Sequence, residues 1–261
     1  MTFGRWQTSC MTSPLARFYP ADGTHGPVVH ALGTAIVTGV YPPGAVIPTE
    51  EKLGAEFGVG RPAIREAIRV LSGKGLLTAR AGRGTTVLDP SRWHLLDPDI
   101  LRWRYEESPS PSTMEDLTGL RLVLEPSAAR FAAQSASLRI LEPIEKALEE
   151  MKATVNDTEA FVEADLAFHG AIVAATENQL LIHLDSMMAV ALQAQRRIHT
   201  TSRTRHLRTI PAHRKVLDAI RNHEADDAER LSREIVEGAH QDLLYYTGRA
   251  RRSAAGTPHT G

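Results

Sequence analysis

Between Tyr41 and Val87 the chain reads Tyr41-Pro42-Pro43-Gly44, Ile47-Pro48-Thr49-Glu50, Arg61-Pro62-Ala63-Ile64-Arg65-Glu66-Ala67-Ile68 and Ala81-Gly82-Arg83-Gly84-Thr85-Thr86-Val87. Thr49 is a good N-cap for a helix over 50–57, and Glu50 and Glu51 suit its first turn. Gly58-Val59-Gly60 breaks that helix, and Pro62 fits the first turn of the next. On this next helix Ile64, Ala67, Ile68 and Leu71 form an apolar stripe, while Arg61, Arg65 and Arg69 recur four apart on another face. Leu76–Ala79 and Thr85–Leu88 read as short strands joined by a glycine-rich turn. A short helix, a tight turn, an arginine-bearing helix and a hairpin are the parts of a winged helix-turn-helix, which binds duplex DNA.

Arginine suits that task because its planar fork takes guanine O6 and N7 together. Arg61 and Arg65 stand where such a helix enters the major groove. Arg83, flanked by glycines, can reach the minor groove or the backbone. Arg69 reads equally as a phosphate contact or as a salt bridge to Glu66 or Glu56. The formal net charge of −1 does not oppose this reading. Between Val28 and Leu88 seven Lys/Arg face four acids, a local excess of three positive charges, and phosphate contacts need only local charge.

Working outward, residues 1–27 are rich in Thr, Ser, Gly and Pro and read as a disordered arm, with Met11 a second candidate start. Val29, Leu32, Ile36 and Val37 predict a helix ended by Gly39. Residues 89–112 read as a linker, although Trp93, Leu95, Leu96, Ile100, Leu101 and Trp103 predict packing within it. Helical periodicity then predicts six helices across 113–247, without strand-like alternation, followed by a disordered tail over 248–261. The fold class expected is therefore mostly α, a winged helix-turn-helix at 28–88 ahead of an all-α bundle. No run of about 18 apolar residues predicts a membrane span. Cys10 is the sole cysteine, which predicts a reducing, cytoplasmic setting.

In the helical region Asp165 and His169 lie a turn apart on one helix face, and His213 follows Pro211 near the predicted start of a later helix. One carboxylate and two imidazoles suit Zn, Ni, Mn or Fe. The same residues at that spacing also arise without a metal in a chain with eleven histidines.

Residues 28–88 resemble the DNA-binding domain of the GntR family of bacterial transcription regulators. The pattern is Gly39-x-Tyr41-x-Pro43-Gly44, Ile47-Pro48-x-Glu50-x-x-Leu53, Arg61-x-x-Ile64-Arg65-Glu66-Ala67-Ile68, Leu71, Gly75-Leu76 and Gly82-x-Gly84. The resemblance implies DNA contacts from Arg61, Arg65, Arg83, Gly84 and Thr49. Two positions depart from it: Gly60 stands where Ser or Thr is usual, and Glu51 where many members carry a basic residue.

Residues 113–247 are similar to the FadR-type C-terminal (FCD) domain, an antiparallel helical bundle that binds acidic effectors. The matching pieces are Arg121-x-x-x-Glu125-Pro126-x-Ala128-Ala129, Asp165-x-x-Phe168-His169, Asn178, His213-x-x-Val216-Leu217-x-Ala219-Ile220 and Ala228. Metal-binding members use one Asp and three His, which implies Asp165, His169 and His213 here. The fourth position falls on Ile235, which cannot ligate. His240, five residues on, faces about 140° away. The resemblance also implies effector contacts from Arg121, Asp165, His213 and Asn178. Arg121 has a competing reading as an intrahelical partner of Glu125. The stretch Trp93-x-Leu95-Leu96-Asp97-Pro98-Asp99-Ile100-Leu101-x-Trp103 resembles the linker of FCD regulators of galactonate and gluconate operons.

The leading expectation is a homodimeric repressor that reads a palindromic operator and releases it when a sugar acid binds the bundle. A second expectation makes the effector a fatty acyl group in an apolar, metal-free pocket. A third, from another class, is a metalloenzyme using two His and one carboxylate.

Overall fold

The computed structural model describes residues 18–80, 82, 84–107, 110–199 and 203–255, with side chains for 18–79, 82, 84–105, 110–197 and 203–244. Ten α-helices and one two-stranded sheet occur among them. Helix α1 (Gly26–Val37) buries Val28, Val29, Leu32 and Ile36. Helix α2 (Glu50–Phe57) starts where the Thr49 hydroxyl accepts the Lys52 N–H at 3.4 Å, and it stops at Gly58, whose φ of 65° favours glycine. Helix α3 (Arg61–Gly73) buries Ile64, Ala67 and Leu71, which seats it on α1 and leaves the arginines outside. Gly60 opens α3 without a side-chain cap, at a cost of only a few tenths of a kcal/mol relative to Ser or Thr.

Strand β1 (Leu77–Arg80) pairs antiparallel with β2 (Gly84–Val87), each one residue off the expected spans. The wing is larger than the sequence predicts. Gly44 N–H donates to Val87, Ile47 N–H to Thr85, and Val87 N–H to Ala45, each at 2.9 Å. Residues 44–47 thereby line the outer edge of β2, a pairing too short to produce a period. A Cβ on Gly84, whose φ is 79°, would sit 3.0 Å from Val46 Cγ1.

Two boundaries expected from composition are redrawn. The arm expected to be disordered through Pro27 is held from Tyr19 onward. The Tyr19 N–H donates to the Asp99 carboxylate at 3.0 Å, and the Tyr19 carbonyl meets His30 Nε2 at 3.0 Å. The expected linker is a packed strut: a 3-10 turn (Pro90–Arg92), helix α4 (Pro98–Arg102) and a π-helical turn (Trp103–Glu107). Lys74, at the end of α3, donates to Asp97 at 2.8 Å and lies 2.9 Å from the fully buried Asp99. Ile100 and Trp103 complete the core of the winged domain, whereas Leu101 and Tyr105 join the core of the bundle. One short segment thus belongs to both cores. Leu95 and Leu96, expected to pack, are exposed.

The bundle comprises α5 (Pro111–Gln134), α6 (Leu138–Ala153), α7 (Thr158–Ala174), α8 (Gln179–His199), α9 (Arg203–Arg221) and α10 (Ala225–Ala255). Its short connections make sequential helices antiparallel. Helix α9 begins eight residues before Pro211 rather than after it, so Pro211 lies inside the helix and His213 near its middle. Tertiary packing on α6 and α10 overrides the local cost of that proline. Helix α10 continues to Ala255, past the boundary expected at residue 247.

Candidate functional site

The first candidate surface is the N-terminal end of α3. The apolar face that seats α3 leaves Arg61 and Arg65 exposed, each beside a carboxylate of α2. Arg61 lies 3.4 Å from Glu51, and Arg65 lies 3.6 Å from Glu50. Such exposed pairs are worth little and yield readily to phosphate or base edges. Glu51, the departure from the family pattern, is therefore a direct neighbour of a candidate base-reading arginine. Arg69 takes the structural alternative, donating to Glu66 at 2.6 and 2.9 Å. Thr49 is exposed at the start of α2, and Gly84 opens β2. Arg83 lies outside the described residues.

The second candidate is a cavity of about 360 Å³ in the bundle, bounded by α5, α7, α8, α9 and α10. Asp165 and His169 enter it from α7, one turn apart, and His213 enters from α9. Asp165 Oδ1 lies 3.0 Å from His213 Nε2, the two Nε2 atoms are 3.3 Å apart, and His169 Nε2 is 3.9 Å from Asp165 Oδ1. Ligand atoms about 2.1 Å from one tetrahedral metal are about 3.4 Å apart, so the trio has the right spacing.

Hydrogen bonding fixes the imidazole tautomers. His169 Nδ1 lies 2.8 Å from Glu125 Oε2, and His213 Nδ1 lies 2.8 Å from the Thr209 carbonyl. Both partners are acceptors, so each Nδ1 carries a proton, and in the neutral form each ring would turn a bare Nε2 toward the other. Burial, against the opposing charges of Glu125 and Asp165, pulls the His169 pKa down and favours that neutral form. Two ring lone pairs and a carboxylate oxygen then converge without a donor, an arrangement that a cation satisfies. The donor set and its outer hydrogen bonds fit a divalent metal.

The surrounding charges are paired. Although burial pulls the Asp165 carboxyl upward, the charge of the Arg196 guanidinium holds it well below the usual carboxylate range. The same contest at Glu125 is won by Arg121 and His169. Arg121 donates to Glu125 at 2.6 Å and to Gln195 at 3.0 Å, so the intrahelical reading of Arg121 is realised. Asp185, half-buried on α8 and beside the charge of Glu125, has its carboxyl pushed up to about 6.

Ile235 lines the cavity where a fourth ligand was expected, and His240 is not in the ligand group found among the described residues. Asn178 is not brought to the cavity. It is exposed, and its Oδ1 caps α8 by accepting the Leu180 and Leu181 N–H groups at 3.0 and 3.3 Å. Sequence reading missed Arg196, which bonds the far oxygen of Asp165 through its Nε. Nothing local marks it, because its partner lies 31 residues away on another helix and its neighbour Arg197 is an ordinary exposed arginine.

Residues 25–87 match the bacterial regulatory protein gntR family, and residues 116–238 match the FCD domain. The galactonate operon transcriptional repressor of Escherichia coli K12 is 34% identical over 224 residues, covering 84% of this chain and 96% of that protein. The chain belongs to the GntR family of transcription regulators and carries an FCD domain. This GntR regulator is also 29% identical over 189 residues to the HTH-type transcriptional repressor NanR of Escherichia coli K12, covering 72% of each. Among solved structures, Lar, which controls expression of the Listeria monocytogenes agr system, shares the fold at 18% identity. Its TM-score is 0.58, over 84% of this chain and 96% of that one. The regulator is thus a DNA-binding protein with a helical effector domain, and the metalloenzyme reading is set aside by its family. No helix among the described residues is long and apolar enough to cross a membrane.

Proposed function

We propose that this GntR regulator is a cytoplasmic, homodimeric repressor of a sugar-acid catabolic operon, released from a palindromic operator when a metal-dependent carboxylate effector binds the bundle. The observation that carries the effector reading is the donor-free convergence of Asp165, His169 and His213 on a cavity lined by four arginines. Those three residues would hold a divalent cation. When bound, the cation would supply open coordination positions for a carboxylate and a hydroxyl, as Ile235 leaves the fourth protein position vacant of a ligand. The galactonate repressor's likeness across 96% of its own length supports an aldonate as the effector class. An acyl effector needs an apolar pocket, and the charged lining argues against it.

At the output end Arg61, Arg65, Arg83, Gly84 and Thr49 are the proposed DNA contacts, one winged domain per half-site. The exposed Val123 and Phe131, eight residues apart along α5, support a bundle-to-bundle dimer contact. Effector binding would shift the two winged domains through the strut at 97–107, which belongs to both cores. The operator then loses affinity by the ligand's differential affinity for the two arrangements.

Thermal-shift titration of the zinc-loaded protein with D-galactonate, D-gluconate and D-galacturonate, with and without chelator, tests this reading. A metal-dependent rise in melting temperature with one of them, matched by operator release, is expected. Stabilisation by octanoyl-CoA alone would refute the effector assignment.

A further inference from the structure

Four arginines line the cavity, and their surroundings are not equivalent. Arg121 is committed to Glu125 and Gln195, Arg205 is paired with Asp242 at 2.7 Å, and Arg208 is exposed. Arg196 is only 1% exposed, and its Nε donates to Asp165. Its two terminal nitrogens are buried and have no hydrogen-bond partner among the described residues. A buried guanidinium with both terminal groups unmet is costly, and such a group calls for a partner, an ordered water or a bound anion.

Charge balance points to the kind of partner. Without a metal, the buried charges of Arg121 and Arg196 are offset by Glu125 and Asp165. A divalent cation on Asp165, His169 and His213 adds two positive charges, and the one further carboxyl beside these arginines among the described residues, Asp185, offsets at most one of them. The cavity then calls for an anion, and the two terminal nitrogens of Arg196, a lining residue whose fork opens to a ligand only when its covering side chains shift, form the planar, two-donor fork that fits a carboxylate.

We propose that Arg196 is the effector-carboxylate anchor of the cavity, in place of Arg121, and that it receives the carboxylate through its two terminal nitrogens. This assignment rests on the proposed effector reading but is separable from it. Arg196 also organises the site before the ligand arrives, since its Nε holds the Asp165 oxygen that does not face the histidines.

Zinc-loaded wild type, Arg196→Lys and Arg196→Gln are titrated calorimetrically with D-galactonate, D-galactonamide, citrate and octanoate, with zinc affinity, circular dichroism and operator binding measured alongside. Both variants are expected to keep the fold and operator binding and to hold zinc less tightly but to saturation under the titration conditions, and to bind the wild type's preferred carboxylate on the order of 30-fold more weakly or worse. Wild type should discriminate galactonate from its amide by a similar factor, and the glutamine variant should not. Carboxylate binding by Arg196→Gln within threefold of wild type overturns the anchor. Loss of zinc or of the fold in both variants also overturns it, by assigning Arg196 to Asp165 and the core. If citrate or octanoate binds through Arg196 while galactonate does not bind wild type, the anchor stands and the sugar-acid reading falls. If no carboxylate binds wild type, both fall.

Discussion

Gly33 lies in the middle of α1 at the point where Trp103 of the strut crosses it. A Cβ at Gly33 would come within 2.4 Å of the indole Cη2 and 2.5 Å of Cζ3. No carbon approaches another so closely, so Gly33→Ala must expel or tilt Trp103, which is 1% exposed. An indole buries about 150–250 Å². At about 25 cal/mol per Å², full expulsion would cost about 4–6 kcal/mol, and partial re-burial would reduce this to about 3. In an ordinary helix the same substitution stabilises by about 1 kcal/mol. The two effects have opposite signs, so the experiment is decisive. Urea denaturation of wild type, Gly33→Ala, Trp103→Ala and the double variant forms a cycle. Gly33→Ala should lower the unfolding free energy by at least about 2 kcal/mol in the wild-type background. In the Trp103→Ala background it should raise it, because the clash is gone. Equal or greater stability of Gly33→Ala than wild type, with unchanged tryptophan emission, would refute the claim that the strut is seated by this notch.

Arg65→Ala should weaken operator binding by about 1–3 kcal/mol, measured by fluorescence anisotropy at fixed salt. Stability should move by no more than about 0.5 kcal/mol, because Arg65 meets only an exposed Glu50 at 3.6 Å; joint loss of both would make the residue structural. Asp185 provides the pH test. Burial, with the charge of Glu125, raises its carboxyl to about 6 from an ordinary 3.8, so the native state binds the proton more tightly than the unfolded chain. That stabilisation is full below about pH 4 and is lost as pH rises through about 6. Asp185→Asn should therefore be more stable than wild type at pH 8, by up to about 3 kcal/mol, with the gap closing below pH 5. Parallel urea curves for the two proteins across that range would show that the carboxyl is not displaced. Zinc should raise the melting temperature of wild type and not of His213→Ala, since the latter lacks one of three ligand groups; equal shifts would place the ion elsewhere.

Local physics made much of this regulator legible from the chain itself. Glycines at 39, 44, 58, 75, 82 and 84 all take positive φ, so the punctuation around the helices was already written in residues that tolerate it. The alternation of apolar residues and arginines on α3 fixed which face is buried and which is left outside. Asp165 and His169 share a face because four residues make about one helical turn, and Arg121 meets Glu125 for the same reason.

Other features depend on contacts between residues distant in sequence, for which no local pattern exists. His213 joins Asp165 because α9 packs against α6 and α10 in spite of Pro211, not because a helix starts after it. Arg196 takes the far oxygen of Asp165 from 31 positions away, while Gln195 helps lock Arg121 from 74 positions away. Which arginine is left unmet is therefore decided by α8 crossing α5 and α7. The strut was read as a linker because prolines break its periodicity, yet Ile100 and Trp103 serve one core while Leu101 and Tyr105 serve the other. Periodicity records the face a helix turns inward; only packing decides what that face meets.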